Sequence, residues 1–393
     1  MKHNILFLMG VYPSYGGVEK VSTILANAFA ESGHSVSIVS FEQPHPELID
    51  KELNHEVGLY KLSYPVFGKR NIQKLRAIIV KQKIDILINQ WAVPFYVARL
   101  CYKATKGLNC KVVTVHHNDP STNARIKGIE IDIERKAGVS TFLHLKLSLV
   151  RFFSRLSLRY TYKKCDRYVV LSPSFIPIAA RYMGIHHPHK ILALPNPVTI
   201  DPCCDIDKTM SNKGKEIIWV GRIEYNQKRT FRLIDIWQKL YLMHPDWHLT
   251  IVGDGPDRQD LQNRIVETKL PNIEITGFRD PVEYYERASI LILVSEYEGF
   301  PLVTIESMSY GVVPVVLGSY AACYDIIENG KNGFIVPTPF RTQMFADVVD
   351  RLICNETLLK RTSEEAYNSS KNFSRKKIVE KWNQLMDEVT CNK

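Results

Sequence analysis

A chain of 393 residues is long enough for two domains of ordinary size, and 45% hydrophobic with 23% charged residues is the composition of a globular protein rather than a disordered or fibrous one. The net charge of +10 favours an anionic partner: a nucleotide-sugar, a nucleic acid or an anionic membrane surface. None of the eight cysteines forms a C-x-x-C pair, and adjacent Cys203 and Cys204 lack zinc spacing, so reduced cytosolic thiols are expected. No run reaches 18 apolar residues, which argues against a spanning helix. The opening MKHNILFLMG enters a strand-like run with no small-residue cleavage site after it, so it does not read as a signal peptide.

Ile5–Met9 reads as a short apolar strand. Gly10 to Gly17 is a turn-rich loop ending in the pair Gly16-Gly17. Val18, Val21, Ile24, Leu25 and Ala28 then keep helical spacing, and Ser35–Val39 is a second strand. Strand, glycine loop, helix and strand open a Rossmann-like domain, but the loop is not G-x-G-x-x-G, so dinucleotide binding is not inferred. Ile84–Asn89 reads as a strand, Pro94–Thr105 as a helix and Lys111–Val115 as a strand. The last runs into His116, His117, Asn118 and Asp119 at a carboxyl edge, where open α/β sheets place ligands.

Residues 140–165 carry Lys146, Arg151, Arg155, Arg159, Lys163 and Lys164 with no acid among them. Arg151, Arg155, Arg159 and Lys163 fall on one helical stripe, while Leu145, Leu149, Phe152, Phe153, Leu156 and Tyr160 occupy other faces. A basic, aromatic-rich helix of this kind suits peripheral contact with an anionic membrane; the plainer reading is a solvated basic face. Asp166–Leu171 and Lys190–Leu194 are further strands, with a helix over Ser174 to Met183. The proline-rich, aperiodic stretch after Leu194 reads as the linker, giving an N-terminal domain over 1–197.

The second domain is expected over 198–372. Ile217–Val220 is its first strand and ends in Gly221, Arg222 and Lys228 before an amphipathic helix around Phe231 to Leu240. An arginine fork and a mobile lysine at one strand-to-helix junction suit a pyrophosphate. His248–Val252 is a strand ending in Gly253-Asp254-Gly255-Pro256, and Ile273–Thr276 ends in Gly277-Phe278. The apolar run Ile290 to Val294 leads into SEYEGFPLVTIESMSYG. There Gly299 allows a sharp turn, Pro301 suits a helix start, and Leu302, Ile305 and Ser309 recur at helical spacing. Glu298 should therefore lie in a loop at a strand's carboxyl end and Glu306 in the following helix. Free amides at that helix start suit a phosphate, and the carboxylates suit sugar hydroxyls. A last helix near Lys376–Val389 belongs to a segment, 373–393, expected to pack back on the first domain.

EGFPLVTIE resembles the E-x7-E signature of the family four retaining glycosyltransferases, whose GT-B fold has two Rossmann-like α/β domains facing a cleft. Gly221, Arg222 and Lys228 match the family's G-R…K-G pattern, with Arg229 where glycine is usual. Gly311, Pro314, Val315 and Val316, and the turn Glu328 to Val336, match later motifs in the family's order, and Asn196 matches its Asn-centred turn.

The resemblance implies a retaining hexosyltransferase that uses a nucleotide-sugar donor, with a UDP-linked hexose or N-acetylhexosamine favoured over GDP-mannose. It also implies a glycan or lipid-linked acceptor in bacterial surface polysaccharide synthesis, at the inner face of the membrane. Gly16-Gly17 then lie near the donor diphosphate and acceptor; His116 or His117 contacts the donor sugar; Arg222 and Lys228 hold the pyrophosphate; Gly277-Phe278 hold the base; Glu298 contacts the sugar or phosphate edge. Gly299, Phe300, Pro301 and Leu302 frame the phosphate, and Glu306 accepts from the ribose. The only D-x-D, Asp205 to Asp207, lies in the linker, so no metal or other cofactor is expected. A nucleotide-sugar 2-epimerase of similar architecture is the enzymatic alternative. A nucleic-acid-binding protein would explain the charge but not the diphosphate motifs, and a catalytically silent scaffold would not explain the set Arg222, Lys228, Glu298 and Glu306.

Overall fold

The structure is a computed structural model that describes residues 1–135, 141–201, 203 and 205–391. Ser140 of the basic stretch and Pro202 and Cys204 of the linker lie outside these residues. The chain divides into two compact units: residues 1–199 with the C-terminal helix Arg375–Cys391, and residues 200–374.

The first unit is a parallel sheet of β1 (Asn4–Leu8), β2 (Ser35–Ser40), β3 (Gly58–Lys61), β4 (Ile86–Asn89), β5 (Lys111–His116), β6 (Arg167–Val170) and β7 (Ile191–Ala193). Its order is β3-β2-β1-β4-β5-β6-β7. The central strands are apolar along their whole length, because helices cover both faces of a doubly wound sheet; Ile5 to Leu8 and Ile86 to Ile88 are fully buried. The helix Gly17–Glu31 turns Val21, Leu25 and Phe29 inward. Against it lies the Arg375–Cys391 helix: Trp382 meets the Phe29 ring edge-on at 6.2 Å, and Asp387 accepts from His3 at 2.8 Å.

The second unit is a parallel sheet of β8 (Glu216–Val220), β9 (His248–Val252), β10 (Ile273–Gly277), β11 (Ile290–Leu293), β12 (Val313–Leu317) and β13 (Phe334–Val336). The order is β10-β9-β8-β11-β12-β13. In both sheets the winding reverses beside the first strand, between β1 and β4 and between β8 and β11. Loops leaving the carboxyl ends of those neighbours diverge and leave a crevice, so topology alone singles out two places for a ligand.

One expectation is corrected. The linker is not structureless: Ile206–Ser211 is a helix, begun by the Asp205 carboxylate accepting from the Lys208 amide at 3.0 Å. A capping aspartate satisfies a helix-end amide. The basic stretch has acidic company. The helix Thr141–Lys164 buries only a narrow strip including Leu143, Leu147 and Leu158, and the preceding helix Ala124–Arg135 brings Glu130 to 2.7 Å from Arg151.

Candidate functional site

Next to the switch point of the first sheet, β5 runs one residue further than its apolar pattern suggests and carries His116 on its end. His116 is buried, with Nδ1 2.6 Å from the Tyr168 hydroxyl; its Nε2 is buried with no partner among the described residues. His117 is partly buried and has Nε2 2.6 Å from Gln90 Oε1, leaving Nδ1 equally unpartnered. Burial pushes His116 down to about 4; burial, then the neighbouring His116, push His117 down to about 3. Both are neutral imidazoles at physiological pH, each with a buried nitrogen left for a polar group of a ligand.

The two histidines line a cavity of about 310 Å³ with Gly10, Glu19, Tyr64 and Trp91 among its other walls. Gly16 begins the Gly17–Glu31 helix, and the Glu19 carboxylate folds back so closely that a Cβ on Gly16 would overlap it. Burial raises the Glu19 carboxyl above its ordinary value.

In the second unit, Lys228 donates to Glu298 Oε1 at 2.6 Å, and both side chains are largely buried, at 18% and 7% exposure. Gln227 donates to the Tyr297 carbonyl at 3.2 Å and to Glu298 Oε2 at 3.4 Å. Lys228 follows β8 and Glu298 follows β11, so the pair sits at the second switch point. Arg222 is exposed and has no ion-pair partner among the described residues. Arg229, standing where the family pattern has glycine, keeps the left-handed backbone that glycine would adopt, with φ 51°. The turn therefore survives the substitution, anchored by Arg229 Nε to Glu296 at 3.4 Å and by its guanidinium over Tyr225. Behind it, a Cβ on Gly253 would overlap the Gly221 carbonyl oxygen, so the β8 and β9 loops touch backbone to backbone.

Pro301 caps the short helix Leu302–Met308, which carries Glu306. Glu306 is 4% exposed and accepts from the Tyr285 hydroxyl at 3.3 Å. Burial and then Glu306 itself hold Tyr285 well above the usual phenol range, so it remains a donor. Gly299 and Phe300 are buried beside this helix, and Phe300 packs against Phe373. Gly277 lies beside the Arg258 guanidinium, while Phe278 is 69% exposed.

Arg222 and Lys228 on the loop after β8, Glu298 on the loop after β11 and Glu306 on the helix that follows thus belong to one unit, and His116 and His117 share one cavity in the other. Three positioning residues carry no motif: Gln90, Gln227 and Tyr285. Gln90 directly follows β4, so the strand-end rule could have flagged it; nothing in the local sequence marks Tyr285.

Two parallel α/β sheets, each with polar or charged side chains collected on the loops beyond its strand ends, are the pattern of a GT-B glycosyltransferase. A family profile described as Glycosyltransferase Family 4 matches residues 15–202, and one described as Glycosyl transferases group 1 matches residues 205–369. The chain belongs to this glycosyltransferase family and is a hexosyltransferase. It is 28% identical to an uncharacterized glycosyltransferase of Haemophilus influenzae, over 98% of this chain and all of that one. A Campylobacter jejuni enzyme, GalNAc-alpha-(1->4)-GalNAc-alpha-(1->3)-diNAcBac-PP-undecaprenol alpha-1,4-N-acetyl-D-galactosaminyltransferase, is 24% identical over 95% of this chain and 96% of its own. Among solved structures, Anabaena HepE in complex with UDP-glucose shares the fold, with a TM-score of 0.73 at 15% identity, covering 98% of this chain and all of that one.

Proposed function

We propose that the chain is a retaining glycosyltransferase that moves a hexose or N-acetylhexosamine from a UDP-linked donor to a glycan or lipid-linked glycan of a bacterial surface polysaccharide. The observation that carries this reading is the Lys228–Glu298 pair, 2.6 Å apart at the switch point, with the exposed Arg222 on the same loop as Lys228. Arg222 and Lys228 would neutralise the pyrophosphate, where negative charge grows as the bond to the sugar breaks. Glu306, oriented by Tyr285, would accept from the ribose hydroxyls. Glu298 would face the transferred sugar or the phosphate edge, and Gly299, Phe300, Pro301 and Leu302 would frame the phosphate. Gly277 and Phe278 would flank the base.

His116 or His117 would contact the transferred sugar, with Gly16-Gly17 near the diphosphate and acceptor. A neutral imidazole suits that place, because it offers a hydrogen bond without setting a cation beside a sugar that gains positive charge. In a front-face mechanism the bond from the anomeric carbon to the leaving phosphate oxygen breaks as the acceptor oxygen bonds to the same face, and that phosphate oxygen takes the acceptor's proton. Side-chain cations serve in place of a metal, so turnover persists in EDTA. Loss of turnover restored by magnesium or manganese would overturn that part.

The Thr141–Lys164 helix supports a peripheral role at an anionic membrane: Phe142, Leu145, Phe152, Phe153 and Leu156 are exposed beside Arg155 and Arg159. No helix among the described residues is long and apolar enough to cross a membrane. The donor site is tested by thermal unfolding with UDP, GDP and nucleotide-sugars, on the wild type and Arg222→Ala. A ligand at about 100 times its dissociation constant adds about 2.7 kcal/mol of stability. A UDP-specific shift that the variant loses is expected; no shift with any nucleotide would remove the reading.

A further inference from the structure

We propose a second site, independent of sugar transfer: a divalent transition-metal site formed by His244, Asp350 and Cys354, with Zn²⁺ the fitting ion. One ligand atom from each lies within 4.8 Å of the others. His244 Nε2 is 2.7 Å from Asp350 Oδ1, and Cys354 Sγ is 3.5 Å from the same oxygen. A tetrahedral ion with bonds of about 2.0–2.3 Å holds its ligand atoms roughly 3.5 Å apart. The Cys–Asp spacing already fits, and the His–Asp pair needs to open by less than about 1 Å. Nitrogen, oxygen and sulfur donors together favour zinc over magnesium or calcium, which take oxygen.

The setting is also cationophilic. His244 terminates the helix Phe231–Met243, and Cys354 terminates the helix Thr342–Ile353, with Asp350 in its last turn. An aspartate at a helix carboxyl end opposes the helix dipole. Here the carbonyl ends of two packed helices, a carboxylate and a thiol converge, and a dication would reconcile them. His244 and Asp350 are 13% and 36% exposed, and Cys354 is exposed, so the fourth position is open to water. The site borders a pocket of about 790 Å³ whose walls include Lys215, Trp247 and Ser289. Those residues precede β8, β9 and β11, so this is the amino edge of the second sheet, the opposite edge from Arg222 and Glu298. Bound metal would clip the two helix ends together. On ligation the Cys354 thiol gives its proton to solvent and the thiolate sulfur takes the ion.

The test uses the full chain, stripped with chelator and then given equimolar Zn²⁺ or Co²⁺ alone. Binding of an equimolar amount of Zn²⁺, a raised Tm and thiolate-to-cobalt charge-transfer absorption are expected. Cys354→Ser, at an exposed position, and His244→Gln, which keeps a partner for Asp350, should each weaken Zn²⁺ binding by about 100-fold or more, since even outer-sphere changes cost 10–100-fold. Cys391→Ser, at the exposed end of the chain, should bind as the wild type does. No Zn²⁺ bound by the wild type, or equal affinity in Cys354→Ser and His244→Gln, would overturn the proposal.

Discussion

Arg229 sits where the backbone favours glycine, so replacing it separates backbone strain from side-chain contact. A non-glycine residue in the left-handed region costs about 1–2 kcal/mol. Glycine returns that energy but gives up about 0.5–1 kcal/mol of chain entropy. Both Arg229→Gly and Arg229→Ala lose the same contacts: the ion pair to Glu296 at 3.4 Å, partly duplicated by Arg232 to Glu296 at 2.9 Å, and the stacking over Tyr225. Those losses are each worth about 0.5–1 kcal/mol and cancel between the two variants. The glycine variant should therefore be the more stable of the two, by about 0.5–1 kcal/mol. Urea unfolding followed by tryptophan fluorescence reads the difference, since Trp219, Trp237 and Trp247 lie in this unit. An alanine variant equal to or more stable than the glycine variant would refute the strain argument.

Three more outcomes follow from the site. His117→Ala should cut kcat/KM by at least about 10-fold, equivalent to about 1.4 kcal/mol, with little change in Tm. His116→Ala should lower Tm as well, because it opens a cavity and strands the Tyr168 hydroxyl; identical effects of the two would contradict the separate roles. Stability should fall as pH drops from about 6.5 to about 4: His116 is held neutral in the fold, so the unfolded chain binds the extra proton across that window. The loss is close to nil above about pH 6.5 and reaches roughly 3 kcal/mol at pH 4. His116→Gln should flatten that part of the pH–Tm curve, and an unchanged slope would count against it. Tyr285→Phe should raise KM for the donor several-fold by removing one of the contacts that hold Glu306, and unchanged kinetics would show that the 3.3 Å hydrogen bond does not orient it.

The strands nearest the site were the most legible elements, because β1, β4, β8 and β11 are buried on both faces and read as unbroken apolar runs. β3 escaped notice: Gly-Leu-Tyr-Lys at a sheet edge is half exposed and has no such run. The helix Ile206–Ser211 hid inside a polar stretch, since its start depends on one aspartate cap rather than on periodicity. Among site residues, those embedded in glycine-proline loops were visible because backbone constraint and chemistry coincide there. Gln227 and Tyr285 were not, because their role is to hold Glu298 and Glu306, and that relation exists only once β8, β11 and the Val282–Arg287 helix are brought together.

The return of the Arg375–Cys391 helix to the first unit has a consequence for biosynthesis. A ribosome delivers residues 200–374, a whole sheet with its helices, before it delivers the helix that covers Phe29 and pairs Asp387 with His3. The unit begun first is therefore completed last. Until that helix emerges, the nascent chain carries a finished second unit and a first unit with an apolar face uncovered, the kind of surface that recruits chaperones. Loss of the Arg375–Cys391 helix would spare the second unit and strike the opposite end of the sequence.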